Sequence, residues 1–424
     1  MKNLLKSKVL LLGLLIRLIV MPFTGHYDIR GINYAVYNLP YKGIMNVYQV
    51  ACCSKEIDYL VNINFGRDYF IYPPLNYFTL GTFMTILKPF YGPEFATWIN
   101  GYGNDIRSVI THPHVFRYLF LMKLPYLFFD ICMVLLLQQF FVKKSNKERV
   151  LAYWWLNPIV IFLPYMWGQF DIIPAFFVMW GILQAARKHP LQAALLMGIG
   201  ASYKNYPLIL MPILAVVLGK NIKEIGKIIL IGFAPFVLTT MPFWGNQFFR
   251  QTVLFSWQSQ KMLDFAWAMS ADNSIYPFMV GYTIILLFSL YQLRGQVAKV
   301  HIPIVATLLW YYATTNFHQQ WFMWVLPFLV LYTVRNRALS YIALFVVGLF
   351  FLRLIELQAN VTTELFVWLA PAFDDLPKTR TIINMFYDID RFRGIVNSLI
   401  MGTALWISAH IVKENFSIIE GNHE

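Results

Sequence analysis

"IGKIILIGFAPFVLTTMPFW", residues 225–244, decides the fold class. It carries one charge, Lys227, close to its start. As a helix it would be about 30 Å long, the thickness of a bilayer's hydrocarbon core. Comparable apolar runs occupy 159–183 (broken in its middle), 275–293 and 338–354. Of 424 residues, 58% are hydrophobic and 13% charged, whereas a soluble domain carries about 25% charged residues. The expectation is an all-α polytopic membrane protein. It would be a bundle of about 11–13 transmembrane helices in one domain over 1–424, with no stretch polar enough for a separate soluble domain.

The net charge is +13. Lys and Arg gather in short clusters between apolar runs, at Lys143, Lys144, Lys147 and Arg149, at Lys220, Lys223 and Lys227, and at Arg335 and Arg337. Such placement follows the positive-inside rule rather than a nucleic-acid-binding stripe, so no nucleic-acid partner is expected. With the clusters in the cytoplasm, the outer loops fall at about 23–114, 245–273 and 357–392. The last two hold Asp264 and Asp272, then Glu364, Asp374, Asp375, Asp388 and Asp390. The apolar stretch 68–90 is then one crossing too many, and a re-entrant or interfacial helix is expected there, starting at Pro73 and Pro74. The three cysteines form neither a disulfide framework nor a zinc spacing. The basic, apolar start lacks a small-residue cleavage site and reads as an uncleaved first span.

Polar residues beside apolar spans are where chemistry is sought in such a chain. "FTGHYDIRGINYAVYNLPYKG" (23–43) follows the first apolar run. Asp28 could take a proton from a substrate hydroxyl as general base. Equally, it could be an interfacial carboxylate paired with Arg30, in an aromatic belt of Tyr27, Tyr34 and Tyr37. "NPIVIFLPYMWGQFDIIP" (157–174) reads as a hairpin. Gln169 and Asp171 there either line a polar cavity or, for Asp171, cap the returning helix. "SYKNYP" (202–207) puts Lys204 and Asn205 at another outer turn. Lys204 either holds a phosphate or snorkels to headgroups. "TTNFHQQWFMWVLP" (314–327) gathers Asn316, His318, Gln319 and Gln320, with His318 either touching phosphate or sugar or simply hydrogen-bonded. "YPPL" (72–75) adds Tyr72 to the same face. Lys123 and Asp130, seven residues apart, share a helix face and read as structural partners of neighbouring helices.

An acidic loop after the first span, followed in order by "YPPL", "NP…GQFD", "YKNYP" and "NFHQQWFMWVLP", resembles the GT-C superfamily of integral-membrane glycosyltransferases. The closer resemblance is to the polyprenol-phosphate-mannose-dependent mannosyltransferases, over about residues 1–335. It implies a polyprenyl-phosphate sugar as donor, a lipid or glycan acceptor, and transfer by inversion at the outer membrane face. The setting would be the cell membrane of a prokaryote or the endoplasmic reticulum of a eukaryote. Asp28 maps onto the family's base, with Asp58 and Asp68 as alternatives. Lys204, His318, Arg250 and Lys261 are candidates to steady the leaving phosphate. Some relatives carry D-x-D in the first loop, but here "DIR" puts Arg30 at the second acid, so no metal or other cofactor is expected. A transporter or flippase should instead show paired half-sequences, and none are visible. A non-catalytic subunit of a glycan-assembly complex would be indifferent to loss of Asp28.

Overall fold

The computed structural model of the chain describes residues 7–53, 70–100, 106–357 and 361–420. Asp58 and Asp68 lie outside them. The described residues are overwhelmingly helical. Their one sheet is a small antiparallel hairpin, Trp267–Ser270 against Asn273–Ile275.

The number of spans is lower than expected. Three helices are long and apolar enough to cross a membrane: Val115–Phe140, Ile222–Phe243 and Ile389–Glu414. The number rises to five if two bent pairs each count once, Lys8–Phe23 with Tyr27–Lys42 (82°) and Lys144–Trp155 with Pro158–Trp167 (52°). The remaining apolar helices, such as Ile172–Ala186, Pro190–Ala201 and Pro207–Leu218, have 10–17 residues. At 1.5 Å per residue such helices reach only about 15–26 Å. Pro190, Pro207 and Pro277 each stand in the first turn of one of the short apolar helices, where a missing N–H is harmless, and mark where those helices start after a polar turn. On the Ile222–Thr240 helix, Leu230 and Leu238 remain exposed, as suits a surface that meets lipid.

The 23–114 region holds more helix than the single one expected at 68–90. It folds into helices Tyr27–Lys42, Val47–Cys53, Leu75–Tyr91, Phe95–Asn100 and Ile106–Ile110. The Leu75–Tyr91 helix begins directly after Pro74, as its prolines require, and is not among the helices able to cross.

Two buried charge sites fix the frame around the first helix. Asp130 accepts from Arg17 Nε (2.9 Å), Trp154 Nε1 (2.6 Å) and the Tyr165 hydroxyl (2.6 Å), joining four chain segments. Lys123 donates to the carbonyls of Met21 (2.7 Å) and Thr24. A helix end leaves carbonyls without partners, and here an ammonium from a distant helix supplies them. The shared helix face of Lys123 and Asp130 thus serves two neighbouring contacts rather than one pair.

Candidate functional site

The turn that carries Asp28 is held from three sides. Lys123 binds its start at Thr24. Gly25 N donates to Leu365 O (3.0 Å), and the Trp368 indole donates to Gly25 O (2.6 Å). His26 N donates to Trp167 O (3.0 Å). His26 then occupies the N-cap of the Tyr27–Lys42 helix, its Nδ1 accepting from Asp28 N (3.0 Å). Side-chain acceptors satisfy open N–H groups at helix starts, and imidazole fills that role here.

Asp28 leaves the turn with its side chain one-third exposed. Its Oδ2 accepts from Gln169 Nε2 (2.9 Å), and its Oδ1 lies 3.1 Å from His26 Nδ1. Burial, the largest influence, pushes the carboxyl upward, but His26 and the Gln169 amide prevail and hold it below its ordinary value. Gln169 is delivered by Gly168, whose φ of +91° belongs to glycine. A Cβ at Gly168 would sit 2.8 Å from Ile29, so the turn and the Asp28 helix approach backbone to side chain. The buried Gln169 Oε1 has no protein partner.

Asp171 and Lys204 form a second unit. Lys204 Nζ donates to both Asp171 oxygens (2.7 and 2.9 Å), and Trp324 Nε1 donates to Oδ1 (2.7 Å). Asp171 stands at the N-cap position of Ile172–Ala186 without using its side chain as a cap. The lysine is ringed by Tyr72, Phe170 and Trp324, each with its centroid between 5.3 and 5.6 Å away. Tyr72 is set by the Tyr48 hydroxyl on its carbonyl (2.6 Å) and by edge contact with Phe170. Trp324 in turn stacks on Tyr206 at 4.0 Å. Lys204 is therefore committed to a carboxylate, not left as a free phosphate ligand or a snorkelling chain.

The third unit is Lys261 with His318. Lysine can only donate, so His318 Nε2, 2.9 Å from Lys261 Nζ, is an acceptor and Nδ1 holds the imidazole proton. Burial and then the Lys261 and Lys204 charges press His318 down to about 3. It is a neutral ring at neutral pH and cannot itself be the cation opposite a phosphate. Lys261, which burial draws below its usual value, packs against Trp257 (4.6 Å) and Trp321 (5.7 Å).

These units converge. Asp28 lies within electrostatic reach of His318, Lys204 of Asp28, and His318 of Lys261, Lys204 and Arg353. Beside them runs an apolar crevice lined by Leu309, Phe322, Val346, Phe350 and Ile407, with Gln319 and Arg353 also in its wall. Both are buried, and Gln319 Nε2 and Arg353 Nε have no protein acceptor. The rest of the Arg353 guanidinium contacts Glu356 and Asn316 Oδ1.

Three expected members fall elsewhere or serve the scaffold. Arg30, expected as a partner of Asp28, donates to the carbonyls of Trp98 (2.9 Å) and Ile99 (3.2 Å). Arg250 is exposed and donates to Trp244 O (2.6 Å), outside the cluster. Asn205 Nδ2 ties the turn to Val253 O (2.8 Å). Tyr27 lies over Trp368 at the rim (5.9 Å). Arg353 and His26 are the members that motif reading missed. The signal for Arg353 was its position as the one charge in the apolar run 338–354. Among the described residues, no group of three His, Cys, Asp or Glu side chains is placed to hold a metal. No family model matches the chain, and no curated protein matches it.

Proposed function

We propose that the protein is a membrane-embedded glycosyltransferase of GT-C type. It would move a sugar, mannose in the closest resemblance, from a polyprenyl phosphate to a hydroxyl of a lipid or glycan acceptor. The observation that carries the reading is Asp28: a partly open carboxylate, held ionised, within electrostatic reach of the cation Lys204 and of His318, whose own partner is Lys261. A base beside cationic groups suits a displacement in which a hydroxyl loses a proton while a phosphate leaves.

The roles follow from the contacts. Asp28 takes the acceptor proton. Gln169 steadies the carboxylate through Nε2 and offers its free Oε1 to a substrate hydroxyl. Lys261, aimed by His318, and the open N–H groups of Arg353 and Gln319 face the donor phosphate, while the crevice beside them receives apolar chain. Asp171–Lys204 acts as a strut under Tyr72 and Trp324.

The test is incubation of purified protein in detergent with radiolabelled polyprenyl-phosphate sugars and a lipid extract. Label should pass to an acceptor with wild type, and Asp28→Asn should abolish transfer while leaving expression and donor binding intact. Loss with Asp58→Asn or Asp68→Asn in place of Asp28→Asn would move the base. Transfer unaffected by all three would end the reading.

A further inference from the structure

His26 is a resident of the site that the transfer reaction as written does not use. Its Nδ1 lies 3.0 Å from Asp28 N and 3.1 Å from Asp28 Oδ1. One nitrogen cannot accept from the first and donate to the second at once. When Nδ1 accepts the backbone N–H, it is a bare lone pair facing a carboxylate oxygen. Two acceptors at that separation repel, and only a proton between them makes the contact favourable. The His26 ring packs against Trp167 (5.7 Å) and Tyr27 (6.4 Å), with about a tenth of its side chain still open to water, so a charge gained there depends on nearby carboxylates. The charged groups facing it are Asp28 on its own helix and Glu364 on the Thr363–Phe366 turn, which feels His26 electrostatically and pairs with Lys378 at 3.8 Å. That turn is latched to the His26 loop through Leu365 and Trp368.

We propose that His26 is the proton outlet of Asp28, with Glu364 as the counter-charge that stabilises the imidazolium. This rests on the transfer reaction above. The acceptor O–H bond breaks and its electron pair forms the new bond to the anomeric carbon, while the C–O bond to phosphate breaks and its pair leaves with the phosphate. The proton goes to Asp28, then from Oδ1 to His26 Nδ1, releasing the Asp28 N–H from its cap. The imidazolium sheds its Nε2 proton to water, Asp28 is again a carboxylate, and exchange with solvent restores the resting tautomer. His26 is a positioning and relay residue; it does not touch the sugar.

His26→Asn separates capping from relay, because the Asn oxygen still accepts the Asp28 N–H but takes no proton. Turnover should fall about tenfold or more, within the range of proton-transfer contributions. The donor KM and thermal stability should stay near wild type, and the acidic limb of the pH profile should move. His26→Asn with unchanged turnover and pH profile overturns the proposal. A second arm needs no activity: 15N-histidine NMR of the full chain in detergent, with the His26 signal identified by its loss in His26→Asn. Glu364→Gln should lower the His26 protonation midpoint, and Asp28→Asn should shift it. A midpoint indifferent to both also overturns the relay. If wild type transfers no sugar, the transferase reading fails and the NMR arm alone decides whether His26 and Asp28 share a proton.

Discussion

Replacing Asp171 by Asn tests whether Lys204 is a strut or a ligand for substrate. The carboxylate accepts three bonds, two from Lys204 and one from the Trp324 indole. Both partners are out of water, with side-chain exposures of 1% for Asp171 and 11% for Lys204. The Asn variant keeps the shape and leaves the ammonium unneutralised among three aromatic rings. Removing one partner of such a buried pair costs about 3–5 kcal/mol. At roughly 2.1 cal/mol/K of unfolding entropy per residue, the chain has about 0.9 kcal/mol/K, so the melting temperature should fall by roughly 3–6 °C. Asp171→Leu with Lys204→Met removes both charges and leaves the buried Trp324 N–H without its acceptor, a loss of about 1–3 kcal/mol. The double variant should therefore recover part of the loss. Thermal unfolding in detergent of the wild type, Asp171→Leu, Lys204→Met and the double closes the cycle, with Asp171→Asn measured beside them. An Asp171→Asn melt within about 1 °C of wild type refutes the strut, as does a double variant no better than the single.

Gly168→Ala should be destabilised by about 1–3 kcal/mol, from the left-handed backbone and the collision with Ile29. Turnover should fall with it as Gln169 leaves Asp28, and Ile29→Val should relieve part of the melting loss; an unchanged melt counts against the close approach. The pH dependence of stability follows from two groups. Asp28, held low in the folded chain, stabilises above its unfolded value of about 4, and that contribution is lost as pH falls through the lower folded value. His318 stays neutral when folded, down to about 3. Below about pH 6.5 the unfolded chain binds a proton that the folded chain refuses, so stability declines as pH drops from there. His318→Gln should flatten the slope of melting temperature between about pH 6.5 and 4.5; an identical slope would show that His318 is not the group responsible.

How far the molecule could be read in advance depends on the range of the interaction. Local rules worked where one or two residues decide. Pro73 and Pro74 announce a helix start, and the spacing of Lys123 and Asp130 announces a shared face. The helical, membrane-spanning character was legible from apolar runs alone. The number of spans was not, because hydropathy does not report where a run bends, and two apolar stretches turn by 52° and 82° at short breaks, the first at Pro158. The other helices of the first loop were not legible because they are short or mixed with polar residues. At the site, the polar turns at Gln169, Lys204 and His318 could be picked out singly. Their partners could not: Asp171 was a plausible cap until Lys204 and Trp324 claimed it, and Arg30, adjacent to Asp28 in the chain, turned to carbonyls some seventy residues away.

The latch between Gly25 and Trp368 joins residues 343 positions apart, and Lys123 reaches back 102 positions to close the first helix. On the ribosome, the segment bearing Asp28 emerges among the earliest, yet the indole that fastens it is made near the end of translation. Until then the tip of the first helix is held by Lys123 and the Trp167 carbonyl. If the chain is the transferase proposed above, its site is completed late in biosynthesis, and chains halted before residue 361 should insert normally yet transfer no sugar.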